Sequence, residues 1–289
     1  MQERILSVGS GAYSGFSYPV LLESLARCGI THVEPAFIQG YTDPFDEDVF
    51  SLHHAAQINR WLDDSGVGCY AFSAHMSLGR PDSVDIFRRR MDFARTLGAR
   101  IINTTAAAKA DEKAFFANIG TLAAYAEDIG LLIGLENPGD GGENIFNTAR
   151  DGIELIREID HPNVTMNYDP GNVPSHFSGK VDPVAEALTA IPHCAHMHIK
   201  DVRTLTDGWA YPGVSQGDIP YDAIMSELAA HPDLSFSLEI LPAICRDLSS
   251  KPRRVTPPPT LEQIETTISH AVAYVRSHIP SMSKRKSEK

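Results

Sequence analysis

The chain has 289 residues, of which 43% are hydrophobic and 21% are charged, and its formal net charge is -12. This composition is typical of a globular protein with a large buried core, and it excludes a fibrous or wholly disordered chain. The acidic balance offers no basic surface that could follow a phosphate backbone, so nucleic acid is not an expected partner.

Short apolar runs alternate with longer segments of helical periodicity along the chain. Eight of these runs have the apolar or β-branched composition of strands that are covered on both faces. Eight strand–helix units without a break in composition predict an α/β fold, a single (β/α)8 TIM barrel. The predicted strands are Ile5–Ser10, His32–Phe37, Val67–His75, Arg100–Ala106, Leu131–Asn137, Val164–Asp169, Ala195–Lys200 and Leu234–Ile240.

Apolar stripes at helical spacing lie between the predicted strands, and three of them end at a glycine. A glycine directly after the last turn is the usual C-terminal stop of a helix. A final helix is predicted for Leu261–Ser277. The three stripes begin at Leu21, Val84 and Phe115 and end at Gly29, Gly98 and Gly130.

An open, doubly wound sheet is the competing architecture. It requires a glycine-rich phosphate loop of the form G-x-G-x-x-G after an early strand. The candidate segment is Ser7–Ala12, and Ser14 stands where the third glycine would fall. The number of strand–helix units therefore favours the closed barrel.

The barrel is predicted to span residues 1–280, with its active site at the C-terminal face, where barrels carry their chemistry. Residues 281–289 include four basic residues and predict a disordered basic tail. The Pro-rich stretch Pro252–Pro259 predicts a semi-rigid connection. Two long loops, Gly40–Asp48 and Asp201–Pro220, are expected on the active-site face.

The sequence contains no obvious targeting or cross-linking signal. The four cysteines are scattered without C-x-x-C spacing, which argues against a disulfide framework or a zinc ribbon. The first residues lack the features of a signal peptide, and no apolar run approaches the ~18 residues of a membrane span. These observations predict a cytoplasmic protein that does not bind membranes.

The last four predicted strands each end in a carboxylate or an imidazole. A single charged group there would simply be emerging into solvent, but four of them converge on one mouth. Three neighbouring carboxylates would repel each other unless a cation lay between them. One divalent ion is therefore predicted, with Mn2+ favoured and Mg2+, Co2+ or Zn2+ as alternatives. These four residues form the strand-end cluster: Glu136, Asp169, His198 and Glu239.

The chain resembles the xylose isomerase-like barrel superfamily of sugar isomerases, epimerases and lyases. The motifs that carry the resemblance are Leu135–Asn137, Asn167–Asn172, His196–Asp201, Gly213–Ile219 and Ser237–Ile240. The resemblance implies that the strand-end cluster binds the metal. In the ketose 3-epimerase branch, the residues that match Glu136 and Glu239 also act as the acid/base pair on opposite faces of the substrate.

The sequence departs from the ketose 3-epimerases at two positions. Asn172 replaces a histidine three residues after the aspartate ligand, and Arg203 does not align with their substrate-binding arginine. The pair Lys200-Asp201 instead resembles inosose dehydratases and other lyases or isomerases of the superfamily. A sugar isomerase or epimerase is therefore the leading interpretation, and a keto-inositol dehydratase or a C-glycoside deglycosidase subunit is the alternative. A non-catalytic sugar-binding or scaffold subunit is the second alternative.

Further residues are candidates for contacts with a small, carbohydrate-like substrate. His75 ends the third strand and is a candidate acid/base or hydroxyl-binding group. Glu34 is expected to orient His75 or the substrate, and Asp201 to anchor Lys200, which would polarise a substrate oxygen. Asn172 and Arg203 complete the predicted substrate-binding set.

Two further interpretations concern a nuclease and the assembly. A three-zinc apurinic endonuclease requires more histidines than this mouth offers, because Asn103 and Asn172 occupy two of their positions. Barrels of this kind often form dimers or tetramers. A homo-oligomer is therefore expected, and a hetero-oligomer stays open.

Overall fold

A computed structural model describes residues 4–279 of the chain, and the predicted basic tail at 281–289 lies outside them. The described residues contain thirteen short strands. The strands are β1 Leu6–Gly9, β2 His32–Glu34, β3 Gly68–Cys69, β4 Ala71–Ser73, β5 Ile101–Thr105, β6 Leu132–Glu136, β7 Val164–Tyr168, β8 Cys194–Ile199, β9 Arg203–Leu205, β10 Gly208–Ala210, β11 Ser235–Leu238, β12 Ile244–Asp247 and β13 Pro252–Arg254.

Nine parallel strands form the barrel, in the order β3-β2-β1-β11-β8-β7-β6-β5-β4. β3 and β4 together are the predicted third strand, which is interrupted at Tyr70. The barrel closes because Ser73 N donates to Pro35 O (2.9 Å) and Phe37 N donates to Ser73 O (2.8 Å). The closed barrel is thus confirmed over the open, doubly wound sheet.

An aromatic cluster packs beside this closure, where few backbone hydrogen bonds join the strands. The ring of Phe37 lies 5.7 Å from that of Phe72 in β4 and 5.1 Å from that of Phe50. Phe93 contacts Phe72 at 5.7 Å between ring centroids. Buried aromatic pairs add to the stabilisation that area burial alone provides, so this cluster strengthens the weakest seam of the barrel.

Helices cover the outside of the barrel and confirm the predicted apolar stripes. α4 ends at Gly130, which adopts the left-handed conformation (φ 66°) that a helix C-terminus favours. Within residues 4–279, no helix combines the length and the apolar character that crossing a bilayer requires. The helices are α1 Tyr18–Arg27, α2 Leu52–Ser65, α3 Ser83–Thr96, α4 Glu112–Ile129, α5 Ala149–Ile159, α6 Val173–His176, α7 Pro183–Ala190, α8 Asp222–Ala230 and α9 Leu261–His278.

A second, antiparallel sheet was not predicted from the sequence. Its strand order is β13-β12-β10-β9, and we call it the mouth sheet. It combines a hairpin from the long loop after β8 with two strands that follow β11. The stretch Pro252–Pro259 is therefore only partly a connection, because its first three residues form β13.

Two glycines allow a matched test of local packing. A Cβ at Gly171 would collide with the backbone carbonyl of Lys200, whereas Gly120, in the interior of α4, has open space around it. We expect Gly171→Ala to destabilise the fold by about 1–3 kcal/mol. Gly120→Ala should stabilise it by about 0.5–1 kcal/mol, because alanine has the higher helix propensity.

Urea unfolding of both glycine variants, monitored by circular dichroism, measures this contrast. Equal free energies of unfolding would contradict the close approach of the turn after β7 to the end of β8.

Candidate metal and substrate site

The structure brings the four residues of the strand-end cluster together. Glu136 is the last residue of β6, Asp169 follows β7, His198 lies in β8 and Glu239 follows β11. One potential ligand atom from each residue lies within 4.8 Å of the others. All four side chains are nearly buried. The ends of neighbouring parallel strands meet at one edge of the barrel, which explains this convergence.

The ring of His198 is oriented by Glu34, which lies behind it. His198 Nε2 lies 3.0 Å from Glu34 Oε1 and donates the hydrogen bond, because a carboxylate only accepts. Nδ1 faces the cluster and lies 3.3 Å from Glu136 Oε1 and 3.5 Å from Glu239 Oε2. A carboxylate on the outer nitrogen fixes the tautomer and orientation of a metal-ligating histidine, so Nδ1 is the atom available for a metal.

Glu34 contacts the two histidines of β8, and the expectation that it orients His75 or the substrate stays a prediction. Its carboxylate also accepts from Ser73 Oγ (2.6 Å) and Asn103 Nδ2 (2.9 Å) and lies 3.3 Å from His196 Nε2. Burial would raise the pKa of Glu34, but the charges and hydrogen bonds of His198 and His196 hold it well below the usual value. Glu34 is therefore an ionised anchor for both histidines.

The electrostatics of the cluster suit a divalent cation. Burial, together with the negative charges of Glu239 and Glu136, raises the pKa of Asp169 to about 7, although Lys200 acts in the opposite direction. Although burial acts in the opposite direction, the charges of His198 and His75 lower the pKa of Glu136 to about 2, and those of Lys200 and His198 hold the pKa of Glu239 well below its usual value. Of the three carboxylates, Asp169 is therefore the one whose charge is least compensated by the chain. Three carboxylates and one imidazole are suitable donors for Mn2+ or Mg2+. The residues present thus fit a divalent ion.

The ammonium group of Lys200 lies between two cluster residues. It contacts Asp169 Oδ2 and lies 2.7 Å from Glu239 Oε2 and 3.0 Å from Asn172 Oδ1. The side chain is 3% exposed. It donates hydrogen bonds to Glu239 Oε2 and Asn172 Oδ1 and forms an ion pair with Asp169, and these contacts fix the position of the charge.

Asp201 does not pair with Lys200, contrary to the sequence-based expectation. Its carboxylate instead accepts from the backbone N–H groups of Val202 (2.8 Å), Gly217 (2.8 Å) and Ile219 (3.2 Å). Asp201 therefore ties together the two ends of the long loop after β8. It positions this loop and does not present a charge to the cavity.

The two oxygens of Glu136 are held by different partners. Asn172 Nδ2 donates to Oε1 at 3.2 Å and to the backbone carbonyl of Asn137 at 2.9 Å. His75 Nε2 lies 3.0 Å from Oε2. The structure therefore places both predicted residues beside the predicted acid/base carboxylate.

Arg203 is not brought into the site. It lies on β9, the outer strand of the mouth sheet, and its guanidinium donates to the carbonyl oxygen of Gln216. The residue is exposed to solvent. Arg203 is not among the residues that line the cavity, because strand pairing within the mouth sheet directs it away from the barrel, and its contact with substrate stays a prediction.

A cavity of about 160 Å³ lies above the cluster. Its size suits one small molecule and leaves no room for a polymer inside the barrel. Glu136, Glu239, His75, Asn172 and Lys200 all line it. The predicted site residues that meet here thus share one enclosed space.

Several lining residues escaped the sequence analysis, among them Tyr41 and Arg246. Tyr41 lies in the long loop after β2, which was predicted to face the mouth. Arg246 lies in β12, which follows the last barrel strand, and the sequence of Ile244–Asp247, two apolar residues followed by two charged ones, lacks the alternation that predicts a half-buried strand. Neither stands at the end of a barrel strand, so the strand-end pattern could not reveal them.

Glu34→Gln tests the orienting role of the outer carboxylate. We expect metal affinity to fall by about 10- to 100-fold, because glutamine accepts only weakly from His198 Nε2 and no longer fixes the ring. Titration of the metal-free protein with Mn2+, followed by calorimetry, measures the change. Glu23→Gln, at an exposed position on α1 (72% exposed side chain), is the control. An affinity equal to that of the control would contradict the orienting role.

The fold and the cluster together define a class of protein, a (β/α)8 barrel with a candidate metal-binding active site at the C-terminal mouth. A family model described as the xylose isomerase-like TIM barrel matches residues 22–259. The chain belongs to this family. No curated protein matches the chain in a sequence comparison.

Solved structures with the same fold include enzymes of different activities. A D-psicose 3-epimerase determined in the presence of D-fructose is 16% identical with a TM-score of 0.72, covering 95% of this chain and 99% of its own. A probable 3-DHS dehydratase from Bacillus anthracis, involved in petrobactin synthesis, is 14% identical with a TM-score of 0.68, covering 93% and 98%.

A third solved structure was determined with a metal ion. It is a xylose isomerase-like TIM barrel protein from Mycobacterium smegmatis in complex with magnesium, 16% identical with a TM-score of 0.70, covering 96% and 98%. At these identities the similarity shows the shared fold. The activity of this chain has to be argued from its own site.

Proposed function

We propose that the protein is a divalent-metal-dependent isomerase or epimerase that acts on a ketose or oxo-sugar. The reaction removes a proton from the carbon beside the carbonyl and returns it to the same carbon or to its neighbour. The observation that carries the proposal is that Glu136 and Glu239 both line the cavity and belong to the same buried cluster. Two carboxylates facing one small space can serve as the acid and the base.

The strand-end cluster would hold the metal, and we propose Mn2+. When bound, a divalent cation polarises the substrate carbonyl and so acidifies the neighbouring carbon-bound proton. His198 would ligate through Nδ1, since its Nε2 is held by Glu34.

Proton transfer is assigned to the two glutamates. One of them takes the proton onto a carboxylate oxygen, and the other returns a proton. His75 Nε2, at 3.0 Å from Glu136 Oε2, is placed to exchange a proton with that carboxylate between turnovers. Asn172 keeps Glu136 Oε1 fixed while this happens.

The mouth sheet would exclude water from the reaction. Arg246 in β12 and Tyr211, which follows β10, line the cavity together with Glu136 and Glu239 of the cluster. Enclosure strengthens the electrostatic interactions within the site and protects a carbanion-like species from bulk solvent.

A lyase is the second candidate, and the ammonium of Lys200 favours it. This group lines the cavity within hydrogen-bond distance of Glu239 Oε2. It could donate a proton to a departing oxygen substituent on the carbon next to the deprotonated one. The same first step then ends in loss of water, as in a dehydratase. Release of a carbon-linked aglycone, as in a C-glycoside deglycosidase, would instead require the proton on the departing carbon.

Proton NMR in D2O tests the proposal and separates the candidates. The Mn2+-loaded protein is incubated with ketoses, keto-inositols and 3-oxo-glycosides and removed before the spectra are recorded. Deuterium beside a carbonyl in a retained carbon skeleton is the expected result for an isomerase or epimerase. Loss of a β-substituent would assign the lyase instead. No exchange across the panel would contradict both and favour a non-catalytic sugar-binding subunit.

A further inference from the structure

A guanidinium group without a carboxylate partner forms part of the cavity wall. Arg246 is 6% exposed, and its recorded hydrogen bonds go to neutral acceptors. Nη1 donates to the carbonyl oxygen of Gly139 and to Ser175 Oγ (2.7 Å), and Nη2 donates to Asn172 Oδ1 (3.4 Å). Among residues 4–279, none of the ion pairs includes Arg246, although the group is always charged.

Two tyrosine rings hold the guanidinium beside the cavity. The ring centroids of Tyr41 and Tyr211 lie 5.2 and 5.9 Å from the central carbon of Arg246, and both tyrosines line the cavity. Nε of Arg246 is buried and has no hydrogen-bond partner in this structure. A buried charge is costly unless a counter-charge and hydrogen bonds compensate it, so a ligand anion would complete this site.

A glycine and an asparagine position the guanidinium of Arg246 beside the cavity. A Cβ at position 139 would overlap Nη1 of Arg246, so glycine there leaves the guanidinium free to contact the carbonyl without shifting. Asn172 links the site to the chemistry, since its Oδ1 accepts from Arg246 and its Nδ2 donates to Glu136. One small molecule could therefore be bound through a polar group at Arg246 while its reacting carbon lies against Glu136.

We propose that Arg246 binds a carboxylate of the substrate, which makes the substrate an oxo-sugar acid rather than a neutral ketose. This inference rests on the proposed function and specifies its substrate class. A guanidinium presents donors in a planar fork that matches the two oxygens of a carboxylate. The other cation of the cavity, Lys200, already contacts two carboxylates. A phosphate dianion would bring more negative charge towards the glutamates than one arginine offsets.

Matched acid and neutral probes test the assignment. D-fructuronate and D-fructose differ only in a carboxylate in place of a hydroxymethyl group, and D-tagaturonate and D-tagatose form a second pair. Binding to the Mn2+-loaded protein is measured by calorimetry, and deuterium exchange gives KM and kcat. We expect at least one acid to bind more tightly than its neutral partner.

The variants Arg246→Gln and Arg246→Lys separate anion binding from a bracing role. We expect Arg246→Gln to weaken binding of the acid by about 10- to 100-fold, the effect of losing a charged hydrogen-bonded pair, and to weaken binding of the neutral sugar by a clearly smaller factor. Arg246→Lys should recover part of the loss, because it keeps the charge without the fork. Arg253→Gln, at a solvent-exposed arginine of β13, is the control.

Three results would overturn the assignment. They are equal affinities for both members of every pair, an unchanged acid affinity in Arg246→Gln, or equal losses for acid and neutral sugar in that variant. The last result would assign a bracing role to Arg246. Mn2+ affinity and melting temperature, measured on each variant, identify loss of the fold. Exchange of neutral ketoses without any preference for acids would overturn this inference alone and leave the proposed function standing.

Discussion

Replacing Glu136 or Glu239 by glutamine is expected to lower the rate of deuterium exchange by about 10²- to 10⁴-fold. An amide cannot take a proton from carbon, so the variant loses the acid/base function at that position. It keeps one oxygen at the place of the carboxylate, and both residues lie at the ends of barrel strands in a rigid frame. The fold is therefore expected to persist in each variant.

The comparison requires the substrate that the NMR panel identifies. Exchange rates are measured at saturating substrate and Mn2+, alongside melting temperature and metal content. Glu23→Gln on the outer surface serves as the control. Unchanged exchange in both cluster variants, with metal bound, would contradict the acid/base assignment.

The second large effect concerns metal-dependent stability. A ligand that binds only the folded state stabilises it, by about 2.7 kcal/mol at a free concentration of 100 times its dissociation constant. We expect Mn2+ to raise the melting temperature of the wild-type protein. Asp169→Asn and His198→Ala should lose most of that rise, because each removes a ligand from the buried cluster.

Differential scanning calorimetry with and without Mn2+ measures this effect. His161→Ala, at a position outside the cavity on the loop before β7, removes an imidazole without touching the cluster and is the matched control. A metal-induced shift in Asp169→Asn and His198→Ala equal to that of the control would show that the ion binds elsewhere.

The barrel and the convergence of the cluster could be predicted because both depend on local pattern. A parallel strand that is covered on both faces must be apolar until it ends, so a carboxylate such as Glu136 marks the end of the strand. Once eight such strands close into a barrel, their ends share one mouth whatever the intervening loops do. Glu239 and His198 therefore lie close together, although the residues that flank them in the sequence are different.

The sequence analysis was wrong about residues whose hydrogen-bond or strand partners are distant in the sequence. Asp201 was expected to pair with its neighbour Lys200, but it binds the backbone of residues 217 and 219. Both residues follow the end of β8, where the path of the long loop decides which partners Asp201 meets.

The mouth sheet was missed for the same reason. Trp209 in β10 pairs with Arg246 in β12, a partner supplied by a separate segment after the last barrel strand. The turn Thr206-Asp207 before Gly208 was the available local signal of a hairpin. Only the pairing of the two segments places Arg246 over the cavity, and no local pattern specifies it.

The position of the metal ion is the most direct test of the account, because two groups of side chains in the barrel could hold one. Glu34, His196 and His198 also place potential ligand atoms within 4.8 Å of one another. Anomalous X-ray diffraction from crystals grown with Mn2+ distinguishes the two sites. We predict one peak bounded by Glu136, Asp169, His198 Nδ1 and Glu239. A peak on the Glu34 side of His198, or no peak within the barrel, would contradict the account.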